Sequence, residues 1–347
     1  MFKRIVSDDV NLGMLESAIS TPLPMPLPSA NQANAPANLL ATMALKTIGR
    51  GKQGARALTE EQSFELFSAI FAGAVGELEL GGVLIALRVK GESLPELQGA
   101  LNALHAVNFA AQLSIKTDSM LPLVLIPSYN GARLQANLVP LLACLLADAG
   151  VQVLVHGPVS DAGRLTSAEI FEHLGLAPVS SLEEASAALS RNDPAFIPIS
   201  IMSPALANML ALRARMGVRN IGHSLAKLLN PTIRSDALRL VSFTHPEFNT
   251  LQHDFFIACG QAAMIMRGTE GECVANTRRQ QAIDLVHRGV ITNVVPGKTG
   301  AAASLHSLPE AKDPQATAKW IQQVLAGERE VPDSIAQQVA AILQALK

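Results

Sequence analysis

The sequence predicts an α/β protein in two parts, a small N-terminal helical domain and a larger α/β domain with a mainly parallel central sheet. Three observations predict it. Apolar residues recur at helical spacing between Leu58 and Leu104. From Leu121 onward, short continuous apolar runs alternate with helix-like stretches, as in βαβ units. The chain's 347 residues also exceed one ordinary domain of about 100–200 residues.

No charged residue lies between Ser17 and Leu45, and Pro22, Pro24, Pro26, Pro28 and Pro36 sit there among Ala, Ser and Asn. Residues 1–43 therefore read as an extended arm, with the folded body starting near Ala44. A helical domain over 44–112 follows. Thr59 and Gln62 stand in capping-box spacing ahead of a stripe of Phe64, Phe67, Ile70 and Phe71 that ends at Gly73. Leu80, Val83, Leu84 and Leu87 make a second helix closed by Gly91, and Ser93 with Glu96 opens a third carrying Leu97, Leu101 and Leu104.

Residues 113–347 carry the α/β pattern. LPLVLIP (121–127), a helix over about 132–149 and VQVLV (151–155) form one βαβ unit. Further strands are expected at AFIPI (195–199), LRLVSF (238–243) and AAMIM (262–266). Helices are expected from Ser203-Pro204, from His245-Pro246, and around Trp320 behind the Asp313-Pro314 cap.

Lys+Arg 27 against Asp+Glu 29 leaves a net charge of -2, which excludes a wholesale basic coat but allows local basic patches. Charged residues make up 16% of the chain, against roughly 25% in typical soluble domains. That excludes a disordered protein and favours extensive buried surface, including a homo-oligomer contact. Cys144, Cys259 and Cys273 are odd in number and widely spaced, so they build neither a disulfide scaffold nor metal-ligand pairs. Asp8 and Asp9 interrupt the start where a signal peptide needs an apolar stretch, and no uncharged apolar run approaches the ~18–20 residues of a membrane span. A cytoplasmic protein with no membrane partner is expected.

Two loops at the carboxyl edge of the predicted sheet are candidates for a ligand site. The first βα turn, Pro127 to Arg133, holds a single glycine, Gly131, with Asn130 and Arg133 able to meet a phosphate. Tyr129, the chain's one tyrosine, either stacks on a base or packs on the loop itself. The second loop opens with His156-Gly157, where the histidine reads as structural or as part of a cleft. Between Asp193 and Glu247 the bases Arg213, Arg215, Arg219, Lys227, Arg234 and Arg239 face one acid, Asp236. Lys46, Arg50, Lys52 and Arg56 likewise run without an acid between them. Each cluster alone fits a solvated surface, and together they point to anion binding. GRGKQGAR lacks the P-loop order, GHSLA (222–226) lacks the second glycine of a nucleophile elbow, and the eight histidines show no zinc-type pairing.

The stretch TIGRGKQGARALTEEQSFELFSAIFAGAVGELELGGVLIALRVKGES resembles the helical domain of anthranilate phosphoribosyltransferases. RARMGVRNIGHSLAKLLNP resembles that family's R-x-x-G-V-R-T…L-x-N-P block. The resemblance runs from about Ala44 to Lys347. It implies the class II nucleoside phosphorylase/phosphoribosyltransferase fold and a dimer formed through the helical part. Arg213 matches the family's substrate-carboxylate arginine, and Gly217, Val218 and Arg219 match their block. The chemistry-bearing motifs diverge. The G-T-G-G-D loop for phosphoribosyl pyrophosphate is Ser128 to Ala132 here, and of N-I-S-T only Asn137 remains. K-H-G-N has become Val155 to Pro158. The D-G-L-D-E whose adjacent acids hold Mg²⁺ aligns with Glu270-Gly-Glu-Cys273-Val274.

This pattern is similar to the YbiB group of TrpD-like proteins. The resemblance implies a homodimer that binds nucleic acid, DNA or RNA, with little sequence preference. Arg50, Lys52, Arg56, Arg133, Arg213, Arg215, Arg219 and Lys227 are then the phosphate contacts, with single strands preferred if bases stack on Tyr129. Tyr129, Asn130, Gly131, Asn137, His156, Gly157 and Glu272 would line a residual ligand cleft, with no catalytic residue, cofactor or metal assigned. The alternative is a phosphoribosyltransferase for an aromatic or heterocyclic acceptor, using phosphoribosyl pyrophosphate and Mg²⁺ with Asn137, His156, Arg213 and Glu272.

Overall fold

Helix α1 (Ala35–Ile48) begins nine residues before Ala44, inside the segment expected to be extended. Alanine is the best helix former, Pro36 sits in the first turn where its missing N–H costs nothing, and Ala37, Ala41, Ala44 and Ile48 make a buried stripe. The computed structural model describes residues 35–110, 115, 120–300 and 308–347. The proline-rich arm through residue 34 and the expected boundary at 112/113 lie outside the described residues.

The helical domain continues through α2 (Gly51–Gly54), α3 (Glu60–Phe71), α4 (Glu77–Lys90) and α5 (Leu94–Ala110). The capping box is present: Thr59 Oγ1 accepts from the Gln62 amide at 3.2 Å, and the Gln62 side chain accepts from the Thr59 amide at 3.0 Å. The inward face of α3 is Ser63, Leu66, Phe67 and Ile70, whereas Phe64 is 40% exposed. Gly99 decides that rotation. A Cβ there would lie 2.7 Å from the Ser63 Cβ, so α5 approaches α3 along the Ser63 side, where Ser63 Oγ donates to the Glu96 carbonyl at 2.7 Å. The Glu96 carboxylate is itself buried and accepts from the Leu58 amide, the Ser93 amide and hydroxyl, and Lys90 Nζ. Leu80, Val83, Leu84 and Leu87 are buried on α4, and Gly91 closes it at φ +87°.

The second domain is built on β1 (Leu123–Pro127), β2 (Gln152–Gly157), β3 (Ala195–Pro198), β4 (Leu238–Phe243), β5 (Ala263–Arg267), β6 (Ile283–His287) and β7 (Val290–Val295). Their order is β3-β2-β1-β4-β5-β6-β7, parallel through β5 and antiparallel thereafter. Both faces of the sheet are covered from β3 to β5, while β7 is largely exposed. Leu123 and Leu125 pack toward the helical domain, while Val124 and Ile126 pack against α6 (Val139–Asp148), α13 (Pro314–Leu325) and α14 (Asp333–Ala345). That is why β1 reads as an unbroken apolar run. The remaining helices are α7 (Ser167–His173), α8 (Leu182–Ser190), α9 (Ile199–Met202), α10 (Pro204–Met216), α11 (Gly222–Leu228) and α12 (Pro246–Cys259).

Strand order reverses at β1, between β2 and β4, which opens a crevice at the carboxyl ends of the strands. Two polar clamps tie the domains beside it. Arg215 makes a bidentate pair with Glu77 at 2.9 Å on each arm, and Ser224 Oγ donates to Glu92 at 2.5 Å. Among the described residues no helix is long and apolar enough to cross a membrane.

Gly99→Ala should lower unfolding stability by about 1–3 kcal/mol in chemical denaturation, because the α3 backbone must shift to admit the methyl group. Gly81→Ala, in α4 with no atom within 4 Å of the added Cβ, should be neutral or stabilising by up to about 1 kcal/mol.

Candidate anion-binding crevice

The loop after β1 carries a run of main-chain N–H groups aimed at the turn after β5. Each group they meet is a carboxylate. Glu272 Oε1 accepts from the amides of Asn130 at 2.7 Å and Gly131 at 2.5 Å. Glu270 accepts from three consecutive amides, Arg133 at 2.7 Å, Leu134 at 2.7 Å and Gln135 at 2.8 Å. Asn130 Nδ2 donates to the Gly271 carbonyl at 2.6 Å. Gly271 must be glycine: its φ is +94° and a Cβ would collide with the Asn130 amide. Concave sets of main-chain N–H groups are ready anion sites, and here two side chains of the protein fill them. The helix after the loop starts only at Val139; before it, the amides of residues 133–135 go to Glu270 and that of Ala132 to the Leu165 carbonyl.

The other expected cleft residues are brought together but turned inward. Tyr129 is 8% exposed and shares a 2.8 Å hydrogen bond with His156 Nδ1, the rings meeting edge to face at 5.5 Å. It is therefore not available to stack on a base, because the ring belongs to the core under the loop. Burial holds His156 neutral, its pKa lowered to about 3, and burial followed by the Glu272 charge pushes the Tyr129 phenol well up. Asn137 is buried, donating to Ser167 Oγ at 3.0 Å and accepting from the Val139 amide at 3.2 Å. Gly157 is a packing glycine, since a Cβ there would collide with the Ser128 carbonyl oxygen.

The donor set does not fit a phosphoribosyl pyrophosphate–Mg²⁺ complex. Cys273 is fully buried with its thiol pushed up to about 12, donating to the carbonyls of Pro127 at 3.5 Å and Leu240 at 3.3 Å. Val274 beside it is buried and apolar. Three of the four oxygens of Glu270 and Glu272 are already engaged by main-chain N–H groups. The hollow beside them, lined by Gln135, Asn137, Thr269 and both glutamates, holds only about 10 Å³, about one water molecule, far below the ~300 Å³ of small-molecule pockets.

The six-to-one basic field resolves into pairs. Arg239 is 2% exposed, donates to the Leu228 carbonyl at 2.6 Å and lies 4.7 Å over the Phe256 ring. Arg234 pairs with Asp236 at 2.6 Å and Arg215 with Glu77. Lys227 donates to the Ser242 carbonyl at 2.8 Å, and burial first of all lowers its pKa. Lys227 and Arg215 are thus structural ties, because carbonyl groups and a distant acid supply partners that a local charge count omits.

What remains gathers at the crevice mouth. Arg213 is exposed, 3.5 Å from Asp161, and Arg219 is half-buried without a hydrogen bond among the described residues. Burial, then Arg213 and Arg164, lower the pKa of Arg219, against Glu272 and Asp161. Arg164, not anticipated from the sequence, lies 3.9 Å from Glu270. The side chain of Arg133 is exposed. On the helical domain, Lys46, Arg50 and Arg56 are exposed and make side-chain bonds only to main-chain carbonyls, if any. The side chain of Lys52 lies outside the described residues.

Comparison with known proteins places this arrangement. The helical bundle domain of the glycosyl transferase family matches residues 43–107. The uncharacterized protein YbiB of Escherichia coli (strain K12) is 44% identical over 301 residues, 87% of this chain and 92% of that one. This chain is a TrpD-like member of glycosyltransferase family 3. The TrpD-like chain is also 27% identical over 278 residues to an anthranilate phosphoribosyltransferase of Shewanella sp. (strain MR-4), covering 79% of each. The crystal structure of anthranilate phosphoribosyltransferase from Thermus thermophilus superposes with a TM-score of 0.65 at 23% identity, covering 88% of the TrpD-like chain and 86% of that chain.

The buried histidine sets a pH dependence. The folded pKa of His156, about 3, lies below its ordinary 6.5, so the unfolded chain binds the extra proton first. Its contribution is complete above pH ~6.5 and is lost as pH falls toward 3, on the order of 5 kcal/mol at most. Denaturation at a series of pH values should show a shallower acid decline for His156→Gln than for the natural chain.

Proposed function

We propose that this TrpD-like protein binds nucleic acid through backbone phosphates, with little sequence preference, on a scaffold that has given up phosphoribosyl transfer. The observation that carries it is the division of charge at the crevice. The main-chain donors of the loop are satisfied by Glu270 and Glu272, while the cations Arg133, Arg213 and Arg219 stand at its mouth. Anchored Lys and Arg side chains that neutralise phosphates release counterions, which gives affinity without reading bases. With Tyr129 buried, its ring offers no stacking platform that would favour single strands.

A second copy of the chain extends the surface. Leu39 and Met43 on α1 and Leu78, Ile85 and Val89 on α4 are exposed. The two helices pack together, with Asn38 Oδ1 accepting from the Gly76 amide at 2.7 Å. Burying such stripes against a partner is favourable by about 25 cal/mol per Å² of apolar area. The α1 stripe runs on into Lys46 and Arg50, so a dimer formed along it brings two basic sets to one interface and doubles the footprint.

Fluorescence anisotropy with unrelated single-stranded and duplex oligonucleotides across a salt series should show binding to both. The duplex slope should be about −0.9 per phosphate neutralised. The triple variant Arg50→Ala, Arg56→Ala, Arg213→Ala should weaken binding and flatten that slope by up to about three. No binding at low salt would sink the reading. Titration with phosphoribosyl pyrophosphate should show no Mg²⁺-dependent binding, and tight Mg²⁺-dependent binding would restore the transferase instead.

A further inference from the structure

Arg239, near the start of β4, is a buried cation with no carboxylate partner among the described residues. Its Nη1 donates to the Leu228 carbonyl at 2.6 Å, and the face of the guanidinium lies 4.7 Å over the Phe256 ring. Nε and Nη2 have no partner. These two N–H groups project side by side from one edge of the guanidinium, the fork that grips both oxygens of an oxyanion. An unmet fork on a buried charge is costly. The guanidinium sits between two segments that flank Cys259. Phe256 lies one turn before Cys259 on α12, and the Cys259 Sγ donates to the Phe256 carbonyl at 3.7 Å. On the other side, Arg239 stands opposite Ala263 in the sheet, and its amide donates to the Ala262 carbonyl at 3.2 Å. Burial lowers the pKa of Arg239 to about 10, and the Cys259 thiol opposes that shift. His105 on α5 supplies no anion, since burial and then Arg239 hold it neutral with its pKa lowered to about 4.

Cys259 is half-buried, whereas Cys144 and Cys273 are buried with their thiols pushed up to about 12. Oxidation follows thiolate character and access, which leaves Cys259 as the thiol that peroxide can reach. We propose that Cys259 is an oxidation site, and that its sulfinate is the oxyanion gripped by the Nε–Nη2 edge of Arg239, which fixes the end of α12 to β4. Hydrogen peroxide is the oxidant. The Cys259 thiolate attacks one peroxide oxygen, an S–O bond forms, the O–O bond breaks and hydroxide leaves, giving the sulfenic acid. The sulfenate attacks a second peroxide in the same way, and the departing hydroxide takes the proton of the new sulfinic acid as water. Each step oxidises the sulfur by two electrons and reduces one peroxide. The site lies at the end of the sheet away from the crevice, so oxidation there acts on how the helices pack beneath the sheet.

The test treats the full chain with hydrogen peroxide and locates oxidised cysteine by peptide mass spectrometry. Dioxidised Cys259 should appear ahead of any product at Cys144 or Cys273, and dithiothreitol should not reverse it. Arg239→Met, which replaces the buried charge with an apolar chain, should lower the yield of sulfinate at Cys259 about 10-fold. Circular dichroism and thermal unfolding check that this variant is folded. A second comparison does without it: Cys259→Asp carries a permanent carboxylate, and Cys259→Asn is its neutral counterpart. The aspartate variant should melt about 2–4 °C above the asparagine variant. A negative charge at a helix C-terminus is ordinarily unfavourable, so the helix dipole does not supply that gain. A folded chain in which Cys259 is not dioxidised, a folded Arg239→Met with an unchanged yield, or an aspartate variant no more stable than the asparagine one overturns the pairing of Cys259 with Arg239.

Discussion

The contact between the carboxylates of Glu270 and Glu272 and the amides of residues 130, 131, 133, 134 and 135 governs the carboxyl edge of this sheet. Through it the β5 turn and the β1 loop become one body, with Gly271 packed against Asn130 too closely for a side chain. The position of α6, the burial of Asn137 and the enclosure of Tyr129 with His156 follow from where that loop is held. A crevice that the strand order opens is thereby narrowed from within.

Charge is organised in the same way. Most of the bases between 213 and 239 are tied within the protein: Arg239 under the sheet, Lys227 on the end of β4 and, at the surface, Arg215 across the domain boundary. Buried guanidinium and ammonium groups need partners, and carbonyl oxygens supply them to Arg239 Nη1 and Lys227, while Arg239 Nε and Nη2 have none among the described residues. The position of the cations at the surface therefore matters more than their number.

Much of the fold was legible in the sequence. β1 to β5 lie within one or two residues of their expected places, because helices cover both faces of the sheet and leave continuous apolar runs. The β6–β7 hairpin was not legible: Val290 and Ile291 are exposed, and the positive-φ turn is Arg288-Gly289 instead of the usual Asn-Gly. In the site, Arg213, Arg219 and Glu272 were visible as candidates, whereas the parts played by Glu270 and Arg164 were not. Glu270 meets amides 135 to 137 positions away, and no local pattern announces such a pairing. The buried Tyr129 carries a similar lesson, since a residue's rarity says nothing about which way its ring faces.

The register of the sheet has a consequence for how the molecule is assembled. β6 and β7 are joined by a two-residue turn, whereas the pairing of Val124 of β1 with Leu238 of β4 encloses all the intervening helices and strands. Pairings between residues distant in sequence cost more loop-closure entropy, which slows folding. The floor of the crevice therefore rests on pairings with a large loop-closure cost, and the hairpin edge of the same sheet on one of the smallest.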